Sequence, residues 1–317
     1  MRYHKLGKTD LELSILSHGT WQMGGDEWGP FDQKEAIGAI RKSIEMGVNL
    51  IDTAPRYGVG RSEELVGEAI QGLRSKVNIA TKCGLFVWRA QDGSLKTGKD
   101  LTPKAIRREI ETSLTKLHID YIDIYIIHRP DPVTPLEESL SELERLRKEG
   151  KYRFLGVSNF DVELLKRAMK TATIDCIQSE FSLLSRQNME LIECARENEI
   201  GIMAYGALGA GILSGNVTEI PKFKGKDARD FYYPFFKETM FDKCMALVDE
   251  LRVIASQREK PVSHVALNWV VQQKGITTAL VGSTSQKNVV ENSGVGDWNL
   301  TAEELSVIDS AYSRLFD

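Results

Sequence analysis

Short runs of apolar and β-branched residues alternate along the chain with longer segments in which apolar residues recur at helical spacing. The runs predict eight strands, near residues 15–20, 49–53, 77–82, 121–128, 154–159, 176–181, 201–206 and 278–283. Several runs, such as YIDIYIIH and GIMAYG, are apolar almost throughout, which is typical of strands covered on both faces. The pattern therefore favours a parallel sheet with other elements packed on it.

The segments between these strands carry helix start and stop signals. Asp32 is predicted to cap a helix that ends at Gly47, and Ser62 is predicted to open another. Thr102-Pro103 and Thr134-Pro135 open two more, because proline suits the first helical position. Eight strand–helix units over roughly 250 residues predict an α/β fold, a closed (β/α)₈ TIM barrel. The alternative is an open doubly wound sheet, but no GxGxxG follows an early strand.

Three segments exceed a minimal barrel. We expect an N-terminal β-hairpin in residues 1–14 and a Gly/aromatic loop with two helices in 209–276. The tail TAEELSVIDSAY predicts an extra C-terminal helix. No linker divides the chain, so we predict a single domain over residues 1–317.

Composition narrows the class of protein. Of 317 residues, 42% are hydrophobic and 27% charged, which is ordinary globular composition. The net charge of −4 argues against broad binding of nucleic acid. The start has no apolar secretory signal, and no apolar run approaches the ~20 residues needed to span a bilayer. These features predict a cytoplasmic protein without a membrane or nucleic-acid partner.

The four cysteines, Cys83, Cys176, Cys194 and Cys244, lie far apart and outside any metal-binding spacing. We interpret them as buried small side chains in a reducing compartment and predict no metal site.

Polar residues mark the carboxyl ends of the predicted strands, where barrels place their chemistry. Asp52, Lys82 and His128 end three consecutive strands, and Tyr57 follows Asp52 by five residues. An ammonium near a phenol favours the phenolate and lowers its pKa from about 10, and a carboxylate can hold the ammonium in place. A neutral histidine can orient a carbonyl oxygen. The set predicts protonation of an oxygen on which negative charge develops.

Each of these residues also fits a purely structural role. Asp52 and Lys82 fit a buried ion pair, Tyr57 fits a loop aromatic, and His128 fits a core histidine. Four complementary groups at the same end of consecutive strands favour the catalytic interpretation.

Motifs along nearly the whole chain carry a resemblance to a known family. They are GTWQMGG, DTAPRYGVGRSEELVGEAI, ATKCG, YIDIYIIHRPDP, GKYRFLGVSNF, IQSEFSLL, MAYGALGAGIL and LVGSTSQKNVVEN, in that order. The chain resembles an aldo-keto reductase. In detail it is more similar to the bacterial oxidoreductases related to the potassium-channel β subunits than to the human aldose reductase branch.

The resemblance implies roles for individual residues. Tyr57 would be the general acid, Asp52 and Lys82 would tune it, and His128 would orient the substrate carbonyl. A nicotinamide dinucleotide would bind without the GxGxxG fingerprint, with Tyr205 stacked on its ring. The implied cofactor contacts are Gly19, Thr20, Trp21, Asp52, Ser158, Asn159, Gln178, Tyr205, Gly206, Leu208, Gly209, Gly211, Gly282, Ser283, Thr284, Gln286, Asn288, Glu291 and Asn292.

The sequence departs from NADPH-preferring members of the family near the last strand. Those members carry Lys or Arg at positions matching Gly282, Thr284, Ser285 or Asn288, all neutral here, and the nearby cation is Lys287. The choice between NADP(H) and NAD(H) therefore stays open.

Substrate contacts are predicted at the mouth of the barrel. The candidates are Trp21, Tyr57, Trp88, His128 and Arg129. Arg129 follows the catalytic histidine directly, and it either clamps an anionic substrate or pairs with a loop acid such as Asp131.

The leading prediction is an NAD(P)H-dependent oxidoreductase that acts on a small aldehyde, ketone or sugar. Two alternatives remain: a Schiff-base aldolase that uses Lys82, and a cofactor-binding regulatory subunit with little turnover. The sequence leaves the substrate, the physiological direction of the reaction and the oligomeric state open.

Overall fold

A computed structural model describes residues 1–91, 94–223 and 226–317 of the chain. Residues 92–93, and residues 224–225 within the predicted segment 209–276, lie outside the described residues.

All eight predicted strands are present, and they close into a parallel barrel. An N-terminal hairpin, β1 (Tyr3–Lys5) and β2 (Glu12–Ser14), precedes it. The barrel strands, in order around the barrel, are β3 (Leu16–Gly19), β4 (Leu50–Asp52), β5 (Asn78–Cys83), β8 (Ile122–Ile127), β9 (Tyr152–Ser158), β10 (Cys176–Glu180), β11 (Gly201–Tyr205) and β12 (Ile276–Gly282), which pairs back onto β3. The (β/α)₈ prediction is confirmed.

Helices follow the barrel strands and pack around them. They are α1 (Gln33–Glu45), α2 (Arg61–Ala69), α3 (Pro103–Leu117), α4 (Leu136–Lys148), α5 (Val162–Met169), α6 (Met189–Glu197), α7 (Ala228–Phe231), α8 (Glu238–Gln257), α9 (Val262–Val271), α10 (Gln286–Ser293) and α11 (Ala302–Phe316). The apolar faces of strands and helices form the largest buried cluster. A second cluster fills the barrel interior, where Leu6 and Leu13 beside the N-terminal hairpin pack with Leu50, Ile126 and Met203. The barrel is therefore a filled core with its chemistry at one end.

The four predicted helix starts agree with the structure to within one residue. The Asp32 side chain accepts the Glu35 N–H, and Thr102 caps the helix that opens at Pro103. Helix α2 begins at Arg61, one residue before Ser62, and Gly60 with φ +86° precedes it. Helix α4 begins at Leu136, so Pro135 is not its first residue, and the Thr134 hydroxyl donates to Asp131.

A second hairpin lies between β5 and α3, where the sequence analysis predicted no strand. Its strands are β6 (Leu85–Arg89) and β7 (Leu95–Lys99), paired antiparallel with Leu85 opposite Lys99. The hairpin is fixed at its base, where the Glu109 carboxylate accepts the Gly84 N–H at 2.8 Å. Burial raises the pKa of Glu109 to about 7. This hairpin extends the barrel wall above the strand ends.

The four cysteines are free and buried. Across the described residues, no cluster of His, Cys, Asp and Glu side chains could hold a metal ion. None of the helices described is long and apolar enough to cross a membrane.

Candidate active site

The predicted catalytic residues meet at the carboxyl ends of β4, β5 and β8. The Lys82 ammonium is fully buried and donates to Asp52 Oδ1 at 2.8 Å, to the Thr53 carbonyl at 2.8 Å and to the Tyr57 hydroxyl at 3.3 Å. Asp52 Oδ2 accepts from the Gln178 side-chain amide at 2.7 Å. The ammonium is therefore held next to the phenol by this hydrogen-bond network.

The protonation state of this network differs from the expectation drawn from the sequence. Burial raises the pKa of Tyr57, and the opposing effect of Lys82 does not outweigh it. Burial also works against the charge of Lys82, but Asp52 and Tyr57 prevail and raise its pKa. The expectation of a net lowered phenol pKa is therefore not met, because it ignored the loss of solvent around the ring. The pair consists of a neutral phenol and a cationic lysine, which suits a proton donor.

His128 lies edge-on to Tyr57, with ring centroids 6.1 Å apart. Its backbone N–H donates to the Cys83 carbonyl, and its Nδ1 is buried without a hydrogen-bond partner in the described part of the chain. Burial, Lys82 and other nearby cations hold the pKa of His128 well below its usual range. The imidazole is therefore neutral and can orient a carbonyl group without giving up a proton.

One wall of the site is built by the ends of the next three strands. Ser158 donates to the Gln178 carbonyl at 2.8 Å, and Asn159 donates to the His128 carbonyl at 2.8 Å. The Tyr205 hydroxyl donates to Asn159 Oδ1 at 3.1 Å. Asn159 adopts φ +57°, a left-handed conformation that asparagine tolerates better than most residues. The predicted nicotinamide contacts thus form one connected wall beside the catalytic residues.

A cavity of about 540 Å³ opens between this wall and the rim of the barrel. Its lining includes many of the predicted site residues, namely Gly19, Thr20, Trp21, Asp52, Tyr57, His128, Arg129, Ser158, Asn159, Gln178, Tyr205, Gly206, Leu208, Gly211 and Gly282. Lys82 lies beneath the cavity, and Gly209 is buried behind it. The volume is in the range of ligand-binding clefts.

The glycine-rich segment after β11 fits the diphosphate of a dinucleotide. Gly206, Gly209 and Gly211 have φ of +71°, +54° and +98°, and no heavy atom lies within 4 Å of where a Cβ of Gly211 would be. This open concave backbone allows close approach of a ligand. Together with the amide side chain of Asn159 near the catalytic residues, it makes the cavity suitable for a nicotinamide dinucleotide.

The remaining predicted cofactor residues lie on α10 or just before it, beyond the cavity lining. They are Ser283, Thr284, Gln286, Asn288, Glu291 and Asn292. Gln286 is tied to Glu35 of α1, and Ser263 donates to Glu291 at 3.3 Å. The structure thus leaves these residues outside the cavity lining.

Trp88 does not line the cavity, contrary to the predicted substrate contact. Its ring is 44% exposed and stacks on Phe86, with centroids 5.3 Å apart. The cause is strand alternation, because Leu85, Thr97 and Lys99 occupy the face of the hairpin that lines the cavity. Lys99 and Thr97 are therefore site residues that the sequence analysis missed.

Arg129 lines the cavity and forms no hydrogen bond or ion pair with any described residue. The alternative pairing with Asp131 is absent, since that carboxylate accepts from Leu101 N–H, Val133 N–H and the Thr134 hydroxyl. These bonds outweigh burial and lower the pKa of Asp131. Asp131 thus fixes the segment that carries Arg129 and leaves the guanidinium free.

A buried carboxylate near Tyr57 also escaped the sequence analysis. Glu27 accepts two hydrogen bonds from Arg56, at 2.6 and 2.7 Å, and one from Lys226 at 2.8 Å. Trp21 donates its indole N–H to the same carboxylate at 3.1 Å. Burial raises the pKa of Glu27, but these cations prevail and lower it to about 2. The four residues join three separate loops, and a lone Glu between Asp26 and Trp28 gives no sequence signal for such a contact.

Comparison with known proteins agrees with this geometry. Residues 16–313 match the model of the Aldo/keto reductase family. "Aldo-keto reductase YhdN" of Bacillus subtilis (strain 168) is 36% identical over 314 residues, which cover 98% of this chain and 93% of the relative. An "NADH-specific methylglyoxal reductase" of Escherichia coli (strain K12) is 34% identical over 97% of both chains.

Solved structures give the same result. The glycerol dehydrogenase AKR11B4 from Gluconobacter oxydans superposes with a TM-score of 0.91 and 36% identity, over 99% of this chain and 96% of that one. The chain belongs to the aldo/keto reductase family. It is an NAD(P)H-dependent oxidoreductase of carbonyl compounds.

Proposed function

We propose that Tyr57 is the general acid with which this enzyme reduces a small aldehyde, ketone or sugar. The observation that carries the proposal is the contact between the buried Lys82 ammonium and the Tyr57 hydroxyl at 3.3 Å, with Asp52 behind it. A buried cation at that position favours a reaction in which the phenol loses its proton.

The roles of the other residues follow from their positions. The bound nicotinamide supplies the hydride. Neutral His128 orients the carbonyl oxygen toward Tyr57, and Tyr57 transfers its proton to that oxygen. Lys82 stabilises the phenolate that remains, while Asp52 and Gln178 hold Lys82 in place. Ser158, Asn159 and Gln178 would hold the carboxamide of the nicotinamide, and Tyr205 would lie against its ring.

A kinetic experiment distinguishes this function from the two alternatives. We expect reduced-nicotinamide absorbance to fall steadily when an aldehyde is added, with methylglyoxal and, in the oxidative direction, glycerol included because similar proteins bear those names. Tight cofactor binding without turnover would indicate a regulatory subunit. Borohydride trapping of substrate on Lys82 would indicate an aldolase.

We also propose that Arg129 and Lys99 favour a substrate with a negative charge remote from its carbonyl. Both cations line the cavity, and neither has a hydrogen-bond or ion-pair partner within the described ranges. Burial raises the pKa of Glu180, the acid that interacts with Arg129, and its carboxyl is already bonded to Ser185 and Tyr232. A guanidinium fork suits phosphate, sulfonate or carboxylate.

Charge-removing variants test this substrate preference. Arg129→Met should weaken use of a phosphorylated or carboxylated aldehyde by roughly 10- to 100-fold and leave a neutral aldehyde almost unchanged. Lys99→Met should have a smaller effect of the same kind. Lys96→Met, on the opposite face of β7, is the matched control. Equal losses for both substrates would show that Arg129 supports only the loop.

The domain organisation, the location and the partners of the protein are also part of this proposal. We propose one domain over residues 1–317, a cytoplasmic location, and partners limited to small molecules without nucleic acid or membrane. The detail of the GVSNF and HRPD motifs supports the bacterial branch related to the potassium-channel β subunits.

A further inference from the structure

We infer that Glu27 is a positioning residue for the substrate: it fixes an aromatic wall of the cavity and thereby sets a preference for carbonyl compounds that carry a ring or another bulky apolar group. The inference rests on the proposed function, because it takes the carbonyl group to be reduced at Tyr57. The aromatic wall consists of cavity-lining residues from two parts of the chain that are far apart in sequence. They are Trp21, Trp28, Tyr232 and Tyr233.

The aromatic wall begins beside the proposed proton donor. The Trp21 ring is inclined by 23° to the ring of Tyr57, with centroids 6.2 Å apart. Trp21 also makes edge-on contacts with Trp28 and Tyr232, with centroids 5.3 and 5.9 Å apart. A substrate whose carbonyl oxygen meets the Tyr57 hydroxyl therefore extends along Trp21 once it is larger than a few atoms. Aromatic rings bind such groups through large apolar contact areas.

Glu27 holds this wall from behind, since it is 1% exposed and does not line the cavity. Its Oε2 accepts the Trp21 indole N–H at 3.1 Å and one Arg56 N–H at 2.6 Å. Its Oε1 accepts a second Arg56 N–H at 2.7 Å and the Lys226 ammonium at 2.8 Å. Its backbone carbonyl accepts the Ala228 N–H at 2.7 Å. The loops after β3 and β4 and the segment before α7 thus meet at one residue.

A neutral side chain cannot replace this carboxylate. Four donors converge on it, and its cations hold the pKa of Glu27 at about 2, so it stays charged. Glutamine offers one acceptor oxygen, and its N–H groups would face Arg56. Trp21 would then lose its fixed position, and a ligand that needs the ring in place would have to order it on binding. A small aldehyde depends on Tyr57 and His128, whose side chains Glu27 does not contact.

The ratio of kcat/KM for benzaldehyde to kcat/KM for propionaldehyde tests the inference. Glu27→Gln should lower this ratio by about tenfold, through a higher KM for benzaldehyde, and leave propionaldehyde within about threefold of wild type. Asp123→Asn is the matched control. That buried carboxylate accepts the Ile79 N–H at 2.8 Å and pairs with Arg74 at 2.7 Å, at the amino ends of β5 and β8 and so at the opposite end of the barrel. It should destabilise the protein and leave the ratio unchanged.

Lys226→Met keeps the test valid if Glu27→Gln does not fold. It removes one half-exposed contact with Glu27 and retains those of Arg56 and Trp21, so the ratio should fall by about two- to threefold with an intact melting curve. An unchanged ratio in a folded Glu27→Gln would overturn the inference, as would an unchanged ratio in Lys226→Met where Glu27→Gln does not fold. An equal fall in Asp123→Asn would overturn it as well. Absence of turnover of both aldehydes by the wild type would instead refute the proposed function, and the inference with it.

Discussion

The floor and the rim of the site are built in different ways. The floor consists of Asp52, Lys82, His128, Ser158 and Gln178, each in or directly after the carboxyl-terminal half of a different barrel strand. The rim consists of the β6–β7 hairpin, the segment 129–134 and the described residues of 206–237. In the floor, Asp52 bonds to Lys82 on the neighbouring strand and to Gln178 across the barrel. In the rim, carboxylates hold the segments in place: Glu109 at the base of the hairpin, Asp131 within 129–134, and Glu27, which bonds to Lys226.

This difference assigns chemistry and selectivity to different parts of the molecule. The barrel strands cannot shift without breaking the sheet, so Asp52 and Lys82 keep their geometry beside Tyr57, the proposed proton donor. Loops that a few carboxylate contacts position can change their lining residues without disturbing the barrel. We therefore expect floor variants to affect every substrate, and rim variants to affect some.

The largest effect is expected from Tyr57→Phe, which removes only the proton donor from the floor. Turnover should fall by about 10²–10⁴-fold while dinucleotide binding is retained, because general acid catalysis contributes on that scale. Steady-state kinetics and a binding titration measure the two quantities. Tyr3→Phe, whose hydroxyl bonds to Gly47 far from the cavity, is the control. Activity within a few-fold of wild type would refute the assignment of Tyr57.

Lys82→Met should destabilise the protein as well as inactivate it. The change leaves the Asp52 carboxylate buried without its cation, which costs about 3–5 kcal/mol in the free energy of unfolding. Lys42→Met breaks the exposed pair with Glu45 and should cost at most about 1 kcal/mol. Urea unfolding measures the loss of unfolding free energy in both variants. Equal losses would show that the buried Lys82–Asp52 pair stabilises the protein no more than the exposed Lys42–Glu45 pair does.

Glu27→Gln tests the rim. It should lower the free energy of unfolding by about 2–3 kcal/mol at pH 7, since Arg56 loses its charged partner. The pKa of Glu27 is depressed to about 2, below the unfolded value near 4.3, so its contribution exists above that value and disappears as the pH falls toward 2. The difference in the free energy of unfolding between wild type and variant should therefore vanish over this acid range. If this difference does not depend on pH, the charge of Glu27 is not what stabilises the wild type.

The smallest effect is expected from Trp88→Ala. Because the ring lies outside the cavity, kcat/KM should stay within about twofold of wild type. Trp21→Ala should lower it by about tenfold or more, since Trp21 stacks near Tyr57 with centroids 6.2 Å apart. If both variants lose the same factor in kcat/KM, Trp88 contacts the substrate as the sequence predicted.

The sequence allowed the floor to be predicted because each of its residues follows a recognisable strand. The apolar run before His128 and the DTA motif at Asp52 locate both residues without knowledge of tertiary contacts. The rim could not be predicted in the same way. The β6–β7 hairpin depends on Glu109, from the helix that follows it, and no local pattern links Glu27 to Lys226.

Prediction also failed where burial had to be judged quantitatively. The sequence places an ammonium near Tyr57 and so suggests a lowered phenol pKa, but the net direction depends on how completely the ring is removed from water. Likewise, Arg129 and Asp131 are close in sequence, yet the Asp131 carboxylate accepts the backbone N–H groups of Leu101 and Val133 instead of pairing with Arg129.

The division between floor and rim is tested most directly by one ratio, the kcat/KM of an anionic aldehyde divided by that of a neutral aldehyde. Tyr57→Phe should lower both values by the same large factor and leave the ratio at its wild-type value. Arg129→Met should lower the ratio by roughly 10- to 100-fold through the anionic substrate alone. If Tyr57→Phe changes the ratio, or Arg129→Met lowers both values equally, chemistry and selectivity do not reside in separate parts of this site.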